Sequence, residues 1–195
     1  MKQLTREDLY SLEEYASVRQ DFRSRTMGHK RSRKVEIGPH ATLYFEDALT
    51  VQYQIQEMLR AERIFEADEI QAELDAYNPL IPSGSNWKAT FMLEYTDPEI
   101  RRDALERLRG VEDRVFVRVE GFDPVFAIAD EDLERENETK TSSVHFLRFE
   151  LSSDMVRAAQ AGASVSVGID HPSYAHTVAR IAEDVRASLA ADLEG

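Results

Sequence analysis

The sequence predicts an α+β protein: a helical first half with one β-hairpin, then a mainly antiparallel sheet with helices on one face. Apolar residues recur at helical spacing over much of residues 11–77, whereas several short segments after residue 86 alternate as strands do. Within 86–169 the order is strand–helix–strand–strand, then strand–helix–strand. That order leads us to expect a ferredoxin-like arrangement there.

The first predicted helix runs from about Ser11 into the middle twenties. Ser11 and Glu14 have the spacing of a capping box, in which side chains at both positions bind free main-chain N–H groups. Tyr10 and Tyr15 flank this box as a hydrophobic staple. These signals fix where the helix begins.

A basic tract and a hairpin follow. The tract, residues 23–34, has no acidic residue and contains Arg23, Arg25, Lys30, Arg31, Arg33 and Lys34. Apolar residues then alternate at 35–37 and 43–45, separated by the breaker Gly38-Pro39, which predicts a β-hairpin.

Two further helices are predicted before the sheet. Residues 47–65 show an amphipathic stripe, and residues 66–77 form a second helical segment. This segment should stop before Asn78-Pro79, because a residue that precedes proline avoids the helical conformation. Residues 79–85 are rich in proline, serine and glycine, so they mark a candidate boundary between the two halves.

The second half is predicted to contain five strands and three helices. The strands are expected at 87–95, 115–119, 125–129, 144–151 and 165–169. The helices are expected from Asp97-Pro98 to about Arg109, from Ser152 or Ser153 to about Ala161, and after Pro172.

Length and composition predict one soluble domain. A chain of 195 residues with 42% hydrophobic side chains has enough apolar surface for one core, so we expect a single domain over 1–195, with a possible subdivision into 1–80 and 81–195. The first eight residues lack the apolar region of a signal peptide, and no long apolar run follows. We therefore expect a cytoplasmic protein without membrane association.

Charge and cysteine content exclude several functions. The net charge of −13 disfavours binding of nucleic acid over most of the surface. The absence of cysteine excludes a thiolate nucleophile, a redox dithiol and a cysteine-ligated iron–sulfur cluster. A metal, if one is bound, must be held by His, Asp, Glu, main-chain or water ligands.

Asp170 and His171 are the first candidate functional residues. They leave a predicted strand where a helix is expected to begin, and such junctions place ligands beside helical N–H groups. The carboxylate could orient the imidazole or share a divalent metal with it. The alternative is structural: Asp170 caps the helix and His171 packs. His176 is a weaker candidate.

His145 is the second candidate, within the strand 144–151. By alternation it shares a face with Leu147 and Phe149 and should point into the core, where a hydrogen-bonded structural histidine is the main interpretation. Arg148 and Glu150 share the opposite face with Phe146 and could form a pair there.

The helix 47–65 supplies Glu62, Glu57 and Arg60. Glu62 lies near the apolar stripe, and a buried glutamate would need a partner and would be a functional candidate. Glu57 and Arg60 have the i, i+3 spacing of an ion pair. The alternative is a solvated helix face.

Familiar motifs are absent. No Glu-x-x-His, Walker A, G-x-G-x-x-G or G-x-S-x-G sequence occurs. The acidic stretch 130–138 attracts cations but lacks the glycine and ligand spacing of an EF-hand, so it is interpreted as a solvated loop.

Four segments resemble a bacterial family of unknown function, number 3501 in the domain-of-unknown-function series. They are QIQEMLRAER at 54–63, ELDAYNPLIP at 73–82, VHFLRFE at 144–150 and GIDHP at 168–172. Members of that family are commonly encoded beside a rubrerythrin-like protein and an iron–sulfur oxidoreductase, which implies a role near peroxide or electron-transfer chemistry. The resemblance brings no catalytic residues with it.

Three functions remain open. The first is a non-enzymatic accessory or interaction partner of such a redox system. The second is a metal-dependent enzyme that uses Asp170 and His171, with His145 or Glu62. The third is nucleic-acid binding through residues 23–34, which the overall negative charge disfavours.

Overall fold

We describe residues 2–131 and 140–194 of a computed structural model of the chain. The helices are α1 Leu12–Arg31, α2 Ala48–Glu62, α3 Ala67–Tyr77, α4 Pro98–Arg107, α5 Ser153–Gln160 and α6 Glu183–Ala190. The strands are β1 Lys34–Ile37, β2 Ala41–Phe45, β3 Asn86–Leu93, β4 Val115–Val119, β5 Val125–Phe126, β6 Ile128–Ala129, β7 Val144–Glu150, β8 Val165–His171 and β9 Tyr174–Val178. The predicted acidic loop, apart from residues 130 and 131, lies outside the described residues.

The strands form two antiparallel sheets, which confirms the α+β class. The five-stranded sheet has the order β1-β2-β3-β7-β6, and the four-stranded sheet has the order β5-β4-β8-β9. The chain passes from one sheet to the other at Ala127, because β5 pairs with β4 whereas β6 pairs with β7. The expected ferredoxin-like arrangement would need β3, β4, β7 and β8 in one sheet, and these strands do not form it.

The main core lies between the two sheets. Alternate side chains of β3, including Trp87 and Phe91, pack with valines of β4 and β8 such as Val117 and Val167. Helices α4, α5 and α6 contribute buried side chains to the same core. The indole N–H of Trp87 donates to the carbonyl of Leu189 at 2.9 Å, which fixes the end of α6 against β3.

The helix α1 begins as predicted and ends later than predicted. Glu14 and Ser11 form the capping box, with a main-chain-to-carboxylate distance of 2.9 Å. The helix continues to Arg31, so the predicted basic tract is mostly its last two turns. His29, Lys30 and Arg31 lie in the final turn, where cations are stabilised by the negative end of the helix dipole.

Helices α2 and α3 build a second, smaller core. Asp47 caps α2 by accepting the main-chain N–H of Thr50 at 2.9 Å. Val51, Ile55 and Leu59 of α2 then pack against Leu74 of α3.

Among the described residues, no helix has both the length and the apolar character that a bilayer crossing requires.

The segment directly after Pro172 is a β-hairpin, so the final helix forms but the start predicted for it is wrong. His171 pairs with Tyr174 across the two-residue turn Pro172-Ser173, and helix α6 begins only at Glu183. Pro172 is compatible with a helix start and with a tight turn, because its fixed φ suits the first turn of a helix and the corner of a β-turn equally. The Tyr174 hydroxyl donates to the carbonyl of Ile37 at 2.8 Å, which links the hairpin to β1.

Candidate binding groove

Asp170 and His171 stabilise the tip of the β8–β9 hairpin. The Nε2 atom of His171 lies 3.1 Å from the carbonyl oxygen of Arg109, and Nδ1 accepts the main-chain N–H of Ser173 at 3.2 Å. The exposed carboxylate of Asp170 pairs with Arg114 at 2.5 Å. To bind a metal, His171 would first have to give up one of these main-chain contacts.

His145 is fully buried in a polar network, in the core position that alternation predicts. Its Nδ1 lies 2.5 Å from a carboxylate oxygen of Asp130, and its Nε2 lies 2.9 Å from the hydroxyl of Thr141. The Thr141 hydroxyl donates to Glu112 at 3.0 Å. The network joins the turn before β4 to strand β7.

Glu57 is held by helix α1. Its carboxylate accepts Nε and Nη2 of Arg19 at 2.8 and 2.7 Å and the hydroxyl of Tyr15 at 2.6 Å. The hydrogen bonds from Arg19, stronger in effect than the opposing burial, lower the pKa of Glu57 to about 2. The expected partner, Arg60, is exposed and contributes only at longer range.

Glu62 is exposed at the end of α2. The helix stops there because Arg63 adopts a left-handed conformation with φ 58° and turns the chain away. The predicted continuation of this helix to Phe65 therefore does not form, and the partly apolar environment considered for Glu62 is absent.

The candidate residues do not converge on one site. No hydrogen bond or ion pair within the described ranges joins Asp170 or His171 to His145 or Glu62, and no cluster of three or more potential metal ligands occurs in residues 2–131 and 140–194. The short 3-10 turn Glu112–Arg114 lies between the two regions: its first residue contacts Thr141 of the His145 network, and its last contacts Asp170.

The basic tract is only partly a surface feature. Arg33 is 2% exposed and is a core residue, and Lys34 pairs with Glu36 at 2.6 Å. Arg23, Arg25 and Arg31 are exposed on α1. The tract thus leaves three exposed arginines rather than a continuous basic segment.

Two adjoining cavities lie between the helices and the outer face of the five-stranded sheet. Their volumes are about 380 and 400 Å³, and Tyr77, Leu80 and Phe146 line both. We call them together the interlayer groove. The first is also lined by Met58, Glu73, Ala76, Pro79, Lys88, Ile128, Glu131, Leu147 and Arg148, and the second by Met27, Lys30, Tyr44, Glu46, Val51, Gln54, Thr90, Met92 and Val144.

The groove exists because β3 and β7 are covered on both faces. In β3 the side chains Lys88, Thr90 and Met92 point away from the inter-sheet core, and Phe146 does the same in β7. Apolar residues at positions that alternation assigns to solvent indicate a second covered face. The signal that reveals this second covered face is the apolar pair Met92 and Phe146 at outward positions of β3 and β7.

Charges in the first cavity are unequally matched. The guanidinium of Arg148 binds both oxygens of Glu131 at 2.7 Å and also contacts Glu150, as predicted for the last pair. The ammonium of Lys88 donates to the carbonyl of Pro79, and it has no carboxylate within ion-pair distance in the described part of the chain. Burial, followed by the charge of Arg148, lowers the pKa of Lys88.

The second cavity has a polar group around Glu46. Glu46 accepts the hydroxyls of Thr90 at 2.7 Å and Thr50 at 2.5 Å. Lys30 lies with its ammonium 5.8 Å from the centre of the Tyr53 ring. The remaining wall is mainly apolar.

The chain matches a known protein family and a solved structure. A family model described as protein of unknown function (DUF3501) matches residues 3–193. The chain is similar to a crystal structure of a novel protein of unknown function from Burkholderia pseudomallei K96243, with 56% identity, a TM-score of 0.95 and coverage of 99% of this chain and 100% of that one. No curated protein matches the chain.

Proposed function

We propose that this chain, which belongs to the DUF3501 family of proteins of unknown function, is a non-enzymatic binding protein that serves a redox system. The observation that carries the proposal is the interlayer groove, a largely apolar site built on rigid strands and helices. The proposed setting is the cytoplasm.

The state of the candidate catalytic groups supports binding over chemistry. The imidazole of His171 is committed to main-chain contacts, and the carboxylate of Glu57 is committed to Arg19 and Tyr15. General acid–base catalysis needs a group within reach of a substrate proton. The groove offers instead apolar walls with a few fixed charges, which is typical of a ligand-binding site.

The redox setting rests on the family resemblance. The proposed partners are a rubrerythrin-like protein and an iron–sulfur oxidoreductase. A cysteine-free chain is suited to an accessory role, since it supplies no thiolate for a cluster of its own. Arg23, Arg25 and Arg31 are exposed cations on α1 of an acidic protein, and we propose that they meet acidic groups of the partner.

Co-purification tests the accessory role. We expect the chain to retain the rubrerythrin-like protein or the oxidoreductase from the same organism at low salt, and the triple variant R23E/R25E/R31E to lose at least tenfold in affinity. The matched control is R101E/R102E/R107E, which reverses three exposed charges on α4. Absence of association with both partners under oxidising and reducing conditions would refute the proposal.

A further inference from the structure

We infer that the interlayer groove binds an amphipathic organic anion, an apolar chain ending in a carboxylate, with Lys88 as the positive group that pairs with it. This inference rests on the proposed binding function and names the class of ligand. It is carried by the apolar lining of the groove, the unmatched ammonium of Lys88 and the placement of the other charges.

The lining selects an apolar body. Phe146, Leu80 and Tyr77 form the shared wall, and Met58 and Met92 extend it into the two cavities. Methionine side chains adapt to ligands of irregular shape because they are unbranched and flexible. Because the same three side chains line both cavities, the cavities lie side by side, and we infer that an elongated apolar chain spans both.

Lys88 supplies the selection for an anion. An ammonium has three donors, and one of them is used on the carbonyl of Pro79. Lys88 lies on the central strand β3, so the sheet fixes the point from which its side chain extends. Burial acts against its charge, and a carboxylate beside it would offset that cost.

The neighbouring guanidinium is not available for this role. Arg148 uses three of its nitrogens on Glu131 and Glu150, so its charge is already matched. The two glutamates also act on Lys88, but only at longer range and against the opposing charge of Arg148. A ligand carboxylate therefore gains most from Lys88.

The helix α1 favours entry of an anion at the other end. Met27 and Lys30 line the second cavity, and Arg23 and Arg31 lie four residues before and after Met27, on the same side of the helix. This gives a local positive field on a protein of net charge −13. Such a field concentrates anions near the opening.

Calorimetric titration with decanoate and decanol tests the inference. The two probes share the apolar chain and differ in charge. We expect wild type to bind decanoate about tenfold more tightly than decanol, because a desolvated charge-assisted contact is worth at least that factor. The variant K88M should bind both equally, with decanol affinity unchanged.

Two further variants sharpen the test. K30M removes a lysine from the same groove and should keep the preference for decanoate, whereas A76W adds a bulky side chain at an exposed position on the wall and should weaken both probes. Failure of wild type to bind decanoate, or equal binding of decanoate by wild type and K88M, overturns the inference. If the wild-type protein does not bind decanoate but still co-purifies with its partner, the ligand is refuted and the accessory function is not. If it binds decanoate but does not co-purify, only the accessory function is refuted.

Discussion

Arg33 and Asp192 lie 159 residues apart in the sequence and form a buried ion pair, with Nη2 of the arginine 2.5 Å from Oδ2 of the aspartate. The same guanidinium donates to the carbonyl oxygens of Phe45 and Glu46, both at 2.9 Å. A second carboxylate, Asp47, lies 3.3 Å away. Arg33 therefore holds together the start of β1, the cap of α2 and the segment after α6.

The ion pair predicts a pH dependence of stability. Burial raises the pKa of Asp192 from 3.8 to about 6 despite Arg33. The folded state then binds a proton more tightly than the unfolded state, so wild type loses stability as pH rises from about 4 to 6. Relative to D192N, which is neutral throughout, we expect a loss of roughly 2–3 kcal/mol over that range, measured by urea unfolding.

The control is D184N, an exposed position on the adjoining helix α6. It should show no such pH-dependent difference from wild type. A wild-type protein that gains stability relative to D192N between pH 4 and 6 would show that attraction to Arg33 outweighs burial.

For Glu57 we expect the opposite pH dependence of stability. Its folded pKa of about 2 lies below the ordinary value of 4.5, so its contribution is complete above about pH 4.5 and is lost as pH falls towards 2. E57Q should therefore lower the free energy of unfolding by about 1–2 kcal/mol at pH 7 and have little effect at pH 2. E62Q, an exposed position on the same helix, serves as the control and should be neutral at both pH values.

Any side chain at position 168 is expected to clash with the neighbouring strands. A Cβ atom there would lie 2.4 Å from Cζ of Phe116 and 2.9 Å from the hydroxyl oxygen of Thr177. G168A should cost about 1–3 kcal/mol in thermal or urea unfolding, and the double variant F116A/G168A should cost less than the sum of the single changes. G28A, in α1 with open space around it, should instead stabilise the protein by about 0.5–1 kcal/mol.

The hydroxyl of Tyr174 links the two sheets, and its removal is expected to lower the stability of the protein. Its hydroxyl donates to Ile37 and accepts the main-chain N–H of His40 at 2.9 Å. Y174F leaves both groups without this partner and should lower the free energy of unfolding by about 1–3 kcal/mol. Y10F, whose ring is 38% exposed, should change it by less than about 0.5 kcal/mol, and equal effects of the two variants would contradict the assignment.

Local signals in the sequence predicted most of the elements. The capping box at Ser11, the helix start at Asp97-Pro98 and the alternation of β3 all act over a few residues, and each lies where it was expected. The pairing of strands is not local. Residues 125–129 were predicted as one strand, and no short-range pattern shows that Val125 joins one sheet and Ile128 the other.

The candidate site was less accessible to sequence reasoning for the same reason. Lys88, Tyr77 and Phe146 come from a strand, a helix and a distant strand, and only the pairing of β3 with β7 and the covering by α3 bring them together. The position of Glu62 depended on the residue at which α2 ends. The left-handed residue that ends a helix is usually glycine, which the sequence would reveal. Here it is Arg63, which is not a recognisable signal for the end of a helix.

The distance in sequence between Arg33 and Asp192 also sets an order of events during synthesis. Arg33 leaves the ribosome long before its carboxylate partner exists, and until then the guanidinium has only Asp47 and main-chain oxygens to offset its burial. The first hairpin and its helices can form earlier, but their arginine is fully paired only after residue 192 has been translated. A nascent chain arrested before that point should be protease-sensitive around β1, and release of the last segment should protect it.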